Sequence, residues 1–228
     1  MKALTVLIVD DHLMIRQGLA RILLDDDRIG RVDDVADGPS CLRALRSGHY
    51  DALVLDIALG ERDGLDVLKS VRAECPQLGV VMLSVYPESQ LAVRALRSGA
   101  RAYLNKSCQP EELLAALVAA AQGKSYVTAS VAELLAHTVR QDSTTAPHEL
   151  LSNREFQVLT LLVAGKSAAA IGEQLALSAT TISTYRSRIF EKLSVRNVVE
   201  LVAYANQHQL GAMHRPGAED APRSRTTT

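Results

Sequence analysis

Two apolar runs that each end in aspartate constrain this chain more than any other feature. Leu53-Val54-Leu55 runs into Asp56, and Gly60 and Asp63-Gly64 mark the loop beyond it. An apolar run between turn signals fits a strand buried on both faces of a parallel sheet. Asp56 then stands at the strand's carboxyl end, where open α/β sheets place their ligands. Alone, it reads equally well as an ordinary loop aspartate. Leu4-Thr5-Val6-Leu7-Ile8-Val9 ends the same way, in Asp10-Asp11, so two strands would bring three carboxylates to one edge.

The surrounding pattern supports such a sheet. After the first strand, Ile15, Leu19, Ile22 and Leu23 recur at helical spacing. A weaker strand over 31–36 and a helix over 39–47 precede the strand ending in Asp56. Leu65, Val67, Leu68 and Val71 mark a helix that stops before Pro76. Gly79 to Ser84 reads as a fourth strand, 89–98 as a helix closed by Gly99, and Arg101 to Asn105 as a fifth strand. Pro110 suits the first turn of a last helix running to Gly123. Five strand–helix units joined by short links imply a five-stranded parallel sheet with five helices on its two faces.

Composition narrows the setting. Three cysteines, Cys41, Cys75 and Cys108, are odd in number and widely spaced, which favours reduced thiols over a disulfide framework or zinc site. No stretch approaches the ~20 apolar residues that span a bilayer, and Met1-Lys2 leads straight into a strand-like run, not a signal core. A cytoplasmic protein without a membrane partner is the expectation. Residues 1–123 carry 14 Lys/Arg against 17 Asp/Glu, whereas 150–211 carry six against four. The mild asymmetry points to different partners for the two halves, although solvated surfaces would look much the same.

Clustered carboxylates repel unless a cation joins them, and oxygen ligands with room for water suit Mg²⁺. Ser84 ends the next strand and Lys106 the last, adding a hydroxyl and an ammonium near the same point. A carboxylate nucleophile, a divalent metal, a hydroxyl and a lysine make a device for receiving a phosphoryl group on Asp56. Metal and lysine would neutralise charge on the equatorial oxygens. Plainer readings stand beside this one: Asp10 as a helix N-cap, Tyr103 as a strand aromatic, Lys106 as a solvated loop lysine. His12 begins a helix and is assigned no chemistry.

These residues resemble the receiver domain of two-component response regulators, which implies a flavodoxin-like fold over residues 1–123. By that resemblance Asp56 is the phospho-acceptor, Asp10 and Asp11 the metal pair, and the Ala58 backbone carbonyl a further metal ligand. Ser84 and Lys106 contact the phosphoryl oxygens, and Tyr103 takes the aromatic switch position. Two positions depart from the pattern: Gly60 and Ser107 stand where proline is common.

Residues 124–149 lose the alternation. Val131 to Val139 fits a short helix and 141–147 is turn-rich, so this is read as a linker. A small all-α domain of four helices is expected over 150–210. Ser152 and Glu155 form a capping box before a face of Phe156, Leu159 and Val163, and Gly165 ends that helix. A helix over 168–176 contains Gly172, at a cost of about 1 kcal/mol relative to alanine. Ser178 caps a third helix with Ile182, Ile189 and Leu193 inward. Its other side shows Thr180, Thr181, Ser183, Thr184, Arg186, Ser187, Arg188 and Lys192. A fourth helix covers 197–208. Hydroxyls and arginines on one helix fit a major-groove reader, or equally a basic protein-binding module.

The stretches LSNREFQVL, TTISTYRSRIFEKL and VRNVVELVAYA resemble the LuxR-type helix-turn-helix. The whole resembles the NarL/FixJ class, which implies a transcription regulator, not an enzyme with turnover. Its implied partners are a sensor histidine kinase and double-stranded promoter DNA, bound as a homodimer through the fourth helix. Residues 211–228 are polar and expected to be disordered. Two rivals are a phosphohydrolase with Asp56 as nucleophile, which would want a carboxylate where Ala58 stands, and a small-molecule sensor, which the acid cluster disfavours.

Overall fold

The structure is a computed structural model that describes residues 3–59, 62–140, 146–175, 177–208 and 210. Strands β1 (Leu4–Val9), β2 (Ile29–Val35), β3 (Ala52–Asp56), β6 (Gly79–Ser84) and β7 (Ala102–Asn105) form one parallel sheet in the order β2-β1-β3-β6-β7. Between β3 and β6, the short strands β4 (Ala58–Leu59) and β5 (Arg62–Asp63) pair antiparallel, Ala58 opposite Asp63. The expected second strand begins two residues earlier than its apolar pattern implied. Gly60, Glu61 and the tail 211–228 lie outside the described residues.

Successive strand residues point to opposite faces, and the core divides accordingly. Leu7, Val9, Leu53, Leu55, Val80 and Met82 face α2 (Gly38–Ser47), α3 (Gly64–Glu74) and α4 (Glu88–Arg97). Val6, Ile8, Val54, Val81 and Leu83 face α1 (Leu13–Leu24) and α5 (Pro110–Ala121). Of the apolar residues that predicted α1, only Leu23 is fully buried; Ile15 and Ile22 remain exposed. Gly64 opens α3 hard against the acceptor strand. A Cβ there would lie 2.0 Å from the Asp56 carbonyl oxygen, so no larger residue fits without moving that backbone.

Helix α6 (Ala129–Arg140) occupies the linker segment and packs on α4. The Glu88 carboxylate accepts hydrogen bonds from Thr128 and Ser130, and Val131 is buried beneath. After a 3₁₀ turn at Pro147–Leu150 come α7 (Asn153–Val163), α8 (Ala168–Leu175), α9 (Ala179–Leu193) and α10 (Val198–Gln207). The capping box is present: Glu155 N–H donates to Ser152 Oγ at 3.3 Å, and Ser152 N–H to Glu155 Oε2 at 2.7 Å.

Helix α7 is buried around its whole circumference, from Arg154 to Leu162. One side meets α8 and α9. Its other side meets the first domain, so the apolar cluster under α2, α3 and α4 runs on through Phe156, Leu159, Ile182 and Leu201. Arg94 on α4 staples the two halves. Its guanidinium donates to the Leu151 carbonyl at 2.8 Å and to the His148 carbonyl, and lies 4.4 Å over the Phe156 ring. Gly172 is where alanine would be worse. A Cβ would stand 2.6 Å from the Leu177 carbonyl oxygen in the tight turn that leads to α9.

Candidate functional site

The parallel order places the ends of β1 and β3 side by side, and the acids follow. Asp10 is 1% exposed and Asp56 2%. Ligand atoms of Asp10, Asp11, His12 and Asp56 all lie within 4.8 Å of one another. Lys106, just past β7, reaches the same point. Its ammonium donates to Asp10 Oδ2 at 2.6 Å and Asp56 Oδ2 at 2.8 Å. Its own backbone is set by an N–H donated to the Ser84 carbonyl at 2.7 Å.

The loop after β1 is anchored as well. Asp10 Oδ1 accepts the His12 N–H at 2.8 Å, and Arg16 donates to the Asp10 carbonyl at 2.7 Å while pairing with Asp34. His12, assigned no role from sequence, lies 2.6 Å from an Asp11 oxygen. Nothing in its local spacing distinguishes it from a helix-starting residue.

Burial pushes the Asp56 carboxyl up to about 6. The Lys106 ammonium and its hydrogen bond oppose this rise, Asp10 adds to it, and the Ala58 N–H bonded to the carboxylate opposes it. For Lys106, burial works to lower the pKa, but the carboxylates of Asp56 and Asp10 win and hold it above the ordinary lysine value. Three carboxylates against one ammonium leave two negative charges in a small volume. Hard oxygen donors with that surplus fit a divalent cation such as Mg²⁺, with the Ala58 carbonyl on the next residue but one.

Ser84 and Tyr103 stand on the neighbouring strands β6 and β7 and make no hydrogen bond to the acids among the described residues. Ser84 is buried, its Oγ accepting the Tyr86 N–H at 3.1 Å. Tyr103 is buried too, its hydroxyl donating to the Tyr86 carbonyl at 2.9 Å. Burial raises its pKa.

The second candidate surface is α9. Thr180, Ser183, Thr184, Arg186, Ser187 and Arg188 are exposed along it. Ser183, Thr184 and Ser187 donate to the carbonyls of Ala179, Thr180 and Ser183, at 3.0 to 3.1 Å, which leaves their acceptor lone pairs outward. Two expected members differ. Thr181 is half-buried, and its N–H and hydroxyl are bonded to the cap residue Ser178. Lys192 is an ion-pair partner of the buried Glu155, at 2.7 Å, so its charge is engaged within the domain. The α7 burial that creates that pairing has no signal in local periodicity.

Residues 6–118 match the model of the response regulator receiver domain, and residues 149–205 that of bacterial regulatory proteins of the luxR family. The chain is 31% identical over 208 residues to the response regulator UvrY of Escherichia coli K12, covering 91% of this chain and 95% of that one. The chain belongs to the response regulator family. Within it, the order of a receiver followed by a LuxR-type helix-turn-helix is the NarL/FixJ arrangement, and such proteins are transcription regulators rather than enzymes with turnover. The response regulator GacA of Pseudomonas aeruginosa is 31% identical over 204 residues, covering 89% of this chain and 95% of that one. Among solved structures, the response regulator RcsB of Salmonella typhimurium aligns with 91% of this chain and 100% of its own, at 25% identity and TM-score 0.55. RcsB has also been solved bound to the promoter rprA with a phosphomimetic, at 22% identity, covering 89% of this chain and 98% of its own, TM-score 0.59. Among the described residues, no helix of this response regulator is long and apolar enough to cross a membrane.

Proposed function

We propose that this response regulator takes a phosphoryl group onto Asp56 from the phosphohistidine of a sensor kinase, with Mg²⁺ held by Asp10, Asp11, Asp56 and the Ala58 carbonyl. One observation carries the reading: Lys106 bridges two buried carboxylates at 2.6 and 2.8 Å and still leaves the cluster two charges short of neutral. An Asp56 carboxylate oxygen attacks phosphorus, the P–N bond breaks, and the departing imidazole nitrogen keeps the electron pair and takes up a proton. The product is an acyl phosphate. Mg²⁺ supplies charge neutralisation on the transferring oxygens and an ordered approach for the donor. Lys106 gives up its bond to Asp56 and moves to a phosphoryl oxygen, while Ser84 donates its hydroxyl hydrogen to another.

Tyr103 begins buried, so its part in the switch is to hold or release the Tyr86 carbonyl, not to swing in from solvent. The domain division follows as 1–123, 124–149 and 150–210, with α6 carrying the linker. On α9, Arg186 and Arg188 with the outward hydroxyls meet double-stranded promoter DNA as a homodimer, which α10 helps to form. Val198 and Val199 on α10 are exposed and apolar, as a dimer contact requires. A protein that reads chromosomal DNA under kinase control works in the bacterial cytoplasm.

The test is phosphate uptake from acetyl phosphate with Mg²⁺, read by intact mass. Wild type is expected to gain one phosphoryl group and Asp56→Asn none. Uptake by Asp56→Asn at the wild-type level would move the acceptor elsewhere.

A further inference from the structure

The start of α1 inverts the usual order of burial. Leu13, Met14 and Ile15 are exposed, and the charged residue that follows them, Arg16, turns inward, its side chain only 11% exposed. Sheltering a charge is costly unless it is paired, and this guanidinium is paired in two directions. Nη1 donates to the Asp10 carbonyl at 2.7 Å, and Nε donates to Asp34 Oδ2 on β2 at 2.6 Å. Asp34 is the register partner of Ile8 on β1, so one side chain ties the end of β1 to the strand beside it. The Asp10 side chain and N–H are held separately. Its N–H donates to the Val35 carbonyl at 3.3 Å, Oδ1 accepts the His12 N–H at 2.8 Å, and Oδ2 accepts the Lys106 ammonium at 2.6 Å. What Arg16 holds is the next peptide. That unit is planar, so a bond to the Asp10 carbonyl oxygen also sets the direction in which the chain enters Asp11.

We propose that Arg16 is a positioning residue for the acidic pair: by holding the Asp10 carbonyl it fixes the turn that aims Asp10 and Asp11 at one shared divalent cation. This rests on the acid cluster being the Mg²⁺ site of the phosphoryl-transfer reading. Arginine suits the task because its planar fork serves two acceptors at fixed angles, which a lysine ammonium does not reproduce. Ligands of a metal depend on such outer partners, and loss of one lowers metal affinity by about 10- to 100-fold. Charge alone acts with the opposite sign. Arg16 is a cation close to a cation site, so if only its charge reached the cluster, removing it would tighten metal binding. The ion pair with Asp34 offsets that repulsion and leaves the guanidinium its hold on the turn.

The measurement is Mn²⁺ binding to the full chain, read from the electron paramagnetic resonance signal of the free ion, since Mn²⁺ shares the oxygen-ligand preference of Mg²⁺. In parallel, intact mass gives the Mg²⁺ concentration at which phosphate uptake from acetyl phosphate is half-maximal. Arg16→Met keeps an apolar stem and loses both bonds. It should weaken Mn²⁺ binding and raise the half-maximal Mg²⁺ by about 10-fold or more, while uptake at excess Mg²⁺ returns to the wild-type level. Arg16→Lys keeps the charge without the fork and should fall between the two. A residue that only stabilised the fold would lower the unfolding temperature and leave both metal readouts unmoved. The proposal is overturned if Arg16→Met binds Mn²⁺ as tightly as wild type or more tightly, whatever its thermal stability. Should that variant not fold, an Arg16→Lys affinity equal to that of wild type overturns it instead. Failure of wild type to bind Mn²⁺ at all is a different result, and removes the metal reading together with this one.

Discussion

At the carboxyl edge of the sheet, Asp10, Asp56 and Ser84 are buried and every one already has a bonded partner. Along α9 the opposite holds: Thr180, Ser183, Thr184, Arg186, Ser187 and Arg188 stand in solvent on a single helix face. Chemistry on a small, fixed geometry needs groups whose positions are over-determined, and the sheet supplies that. A groove-reading surface needs groups able to adapt to a duplex, and a helix held only from behind supplies that. The difference predicts where substitutions hurt. Changes at the edge should cost folding energy as well as function, and changes along α9 should cost binding alone.

The sharpest test removes Lys106. Lys106→Met leaves Asp10 and Asp56 buried side by side without their cation. Breaking a buried pair in this way costs about 3–5 kcal/mol, read by urea unfolding at pH 8 in EDTA. At pH 5 the loss should be smaller, since Asp56 can then take up a proton. A loss of equal size at both pH values would mean that packing of the lysine stem, not charge, is what the edge depends on.

Next in size is the pH dependence of the metal-free protein. Burial raises the Asp56 carboxyl from 3.8 to about 6, so between those values the folded state binds the proton more tightly than the unfolded chain does. The resulting stability is complete below pH 3.8 and is lost as pH rises through 6, by about 3 kcal/mol if the whole shift is realised. Asp63, whose carboxyl burial also pushes up to about 6, adds in the same direction. Glu155 runs the other way. Burial raises its pKa, but Lys192 and the capping bonds outweigh it and hold the group below the usual carboxylate range, so its share is lost on acidification. The clean quantity is the difference between wild type and Asp56→Asn across pH 4 to 7 in EDTA. A flat difference would show that Asp56 is not held in a charge-averse site.

Much of the edge was legible in the sequence because strand ends are local: an apolar run and the residue after it fix Asp10, Asp56 and Lys106. The interface between the halves was not. Phe156, Leu159 and Val163 announce one apolar side of α7, yet Arg154, Gln157 and Thr160 are buried as well, under a domain far away in sequence. Arg94 owes its partners to that packing, and no period in the chain reports it. Ile15 and Ile22 show the reverse error, apolar spacing that leads to no burial.

Gly172 carries the comparison into the second domain. Helix propensity alone says that Gly172→Ala should gain about 1 kcal/mol. The turn says otherwise, because the new methyl would meet the Leu177 carbonyl at 2.6 Å, and that is backbone, which does not yield cheaply. A net loss of about 1–2 kcal/mol is expected, in the range of overpacking, measured by thermal unfolding. A gain would mean that the α8–α9 turn is soft, and that α9 is less firmly held from behind than its packing implies.

The smallest effect is expected at the exposed face, and it is the one that gives α9 its meaning. Arg186 and Arg188 are exposed and make no hydrogen bond or ion pair among the described residues, so replacing both with alanine removes little that holds the fold. Unfolding should shift by no more than about 0.5 kcal/mol. Affinity for duplex DNA should weaken, and its dependence on salt should flatten by about 0.9 in log–log slope for each phosphate no longer neutralised. The two readouts separate the alternatives. A stability change without a change in slope would make the arginines part of the fold. Weaker binding at an unchanged slope would place them on base edges, where sequence is read, instead of on the phosphate backbone.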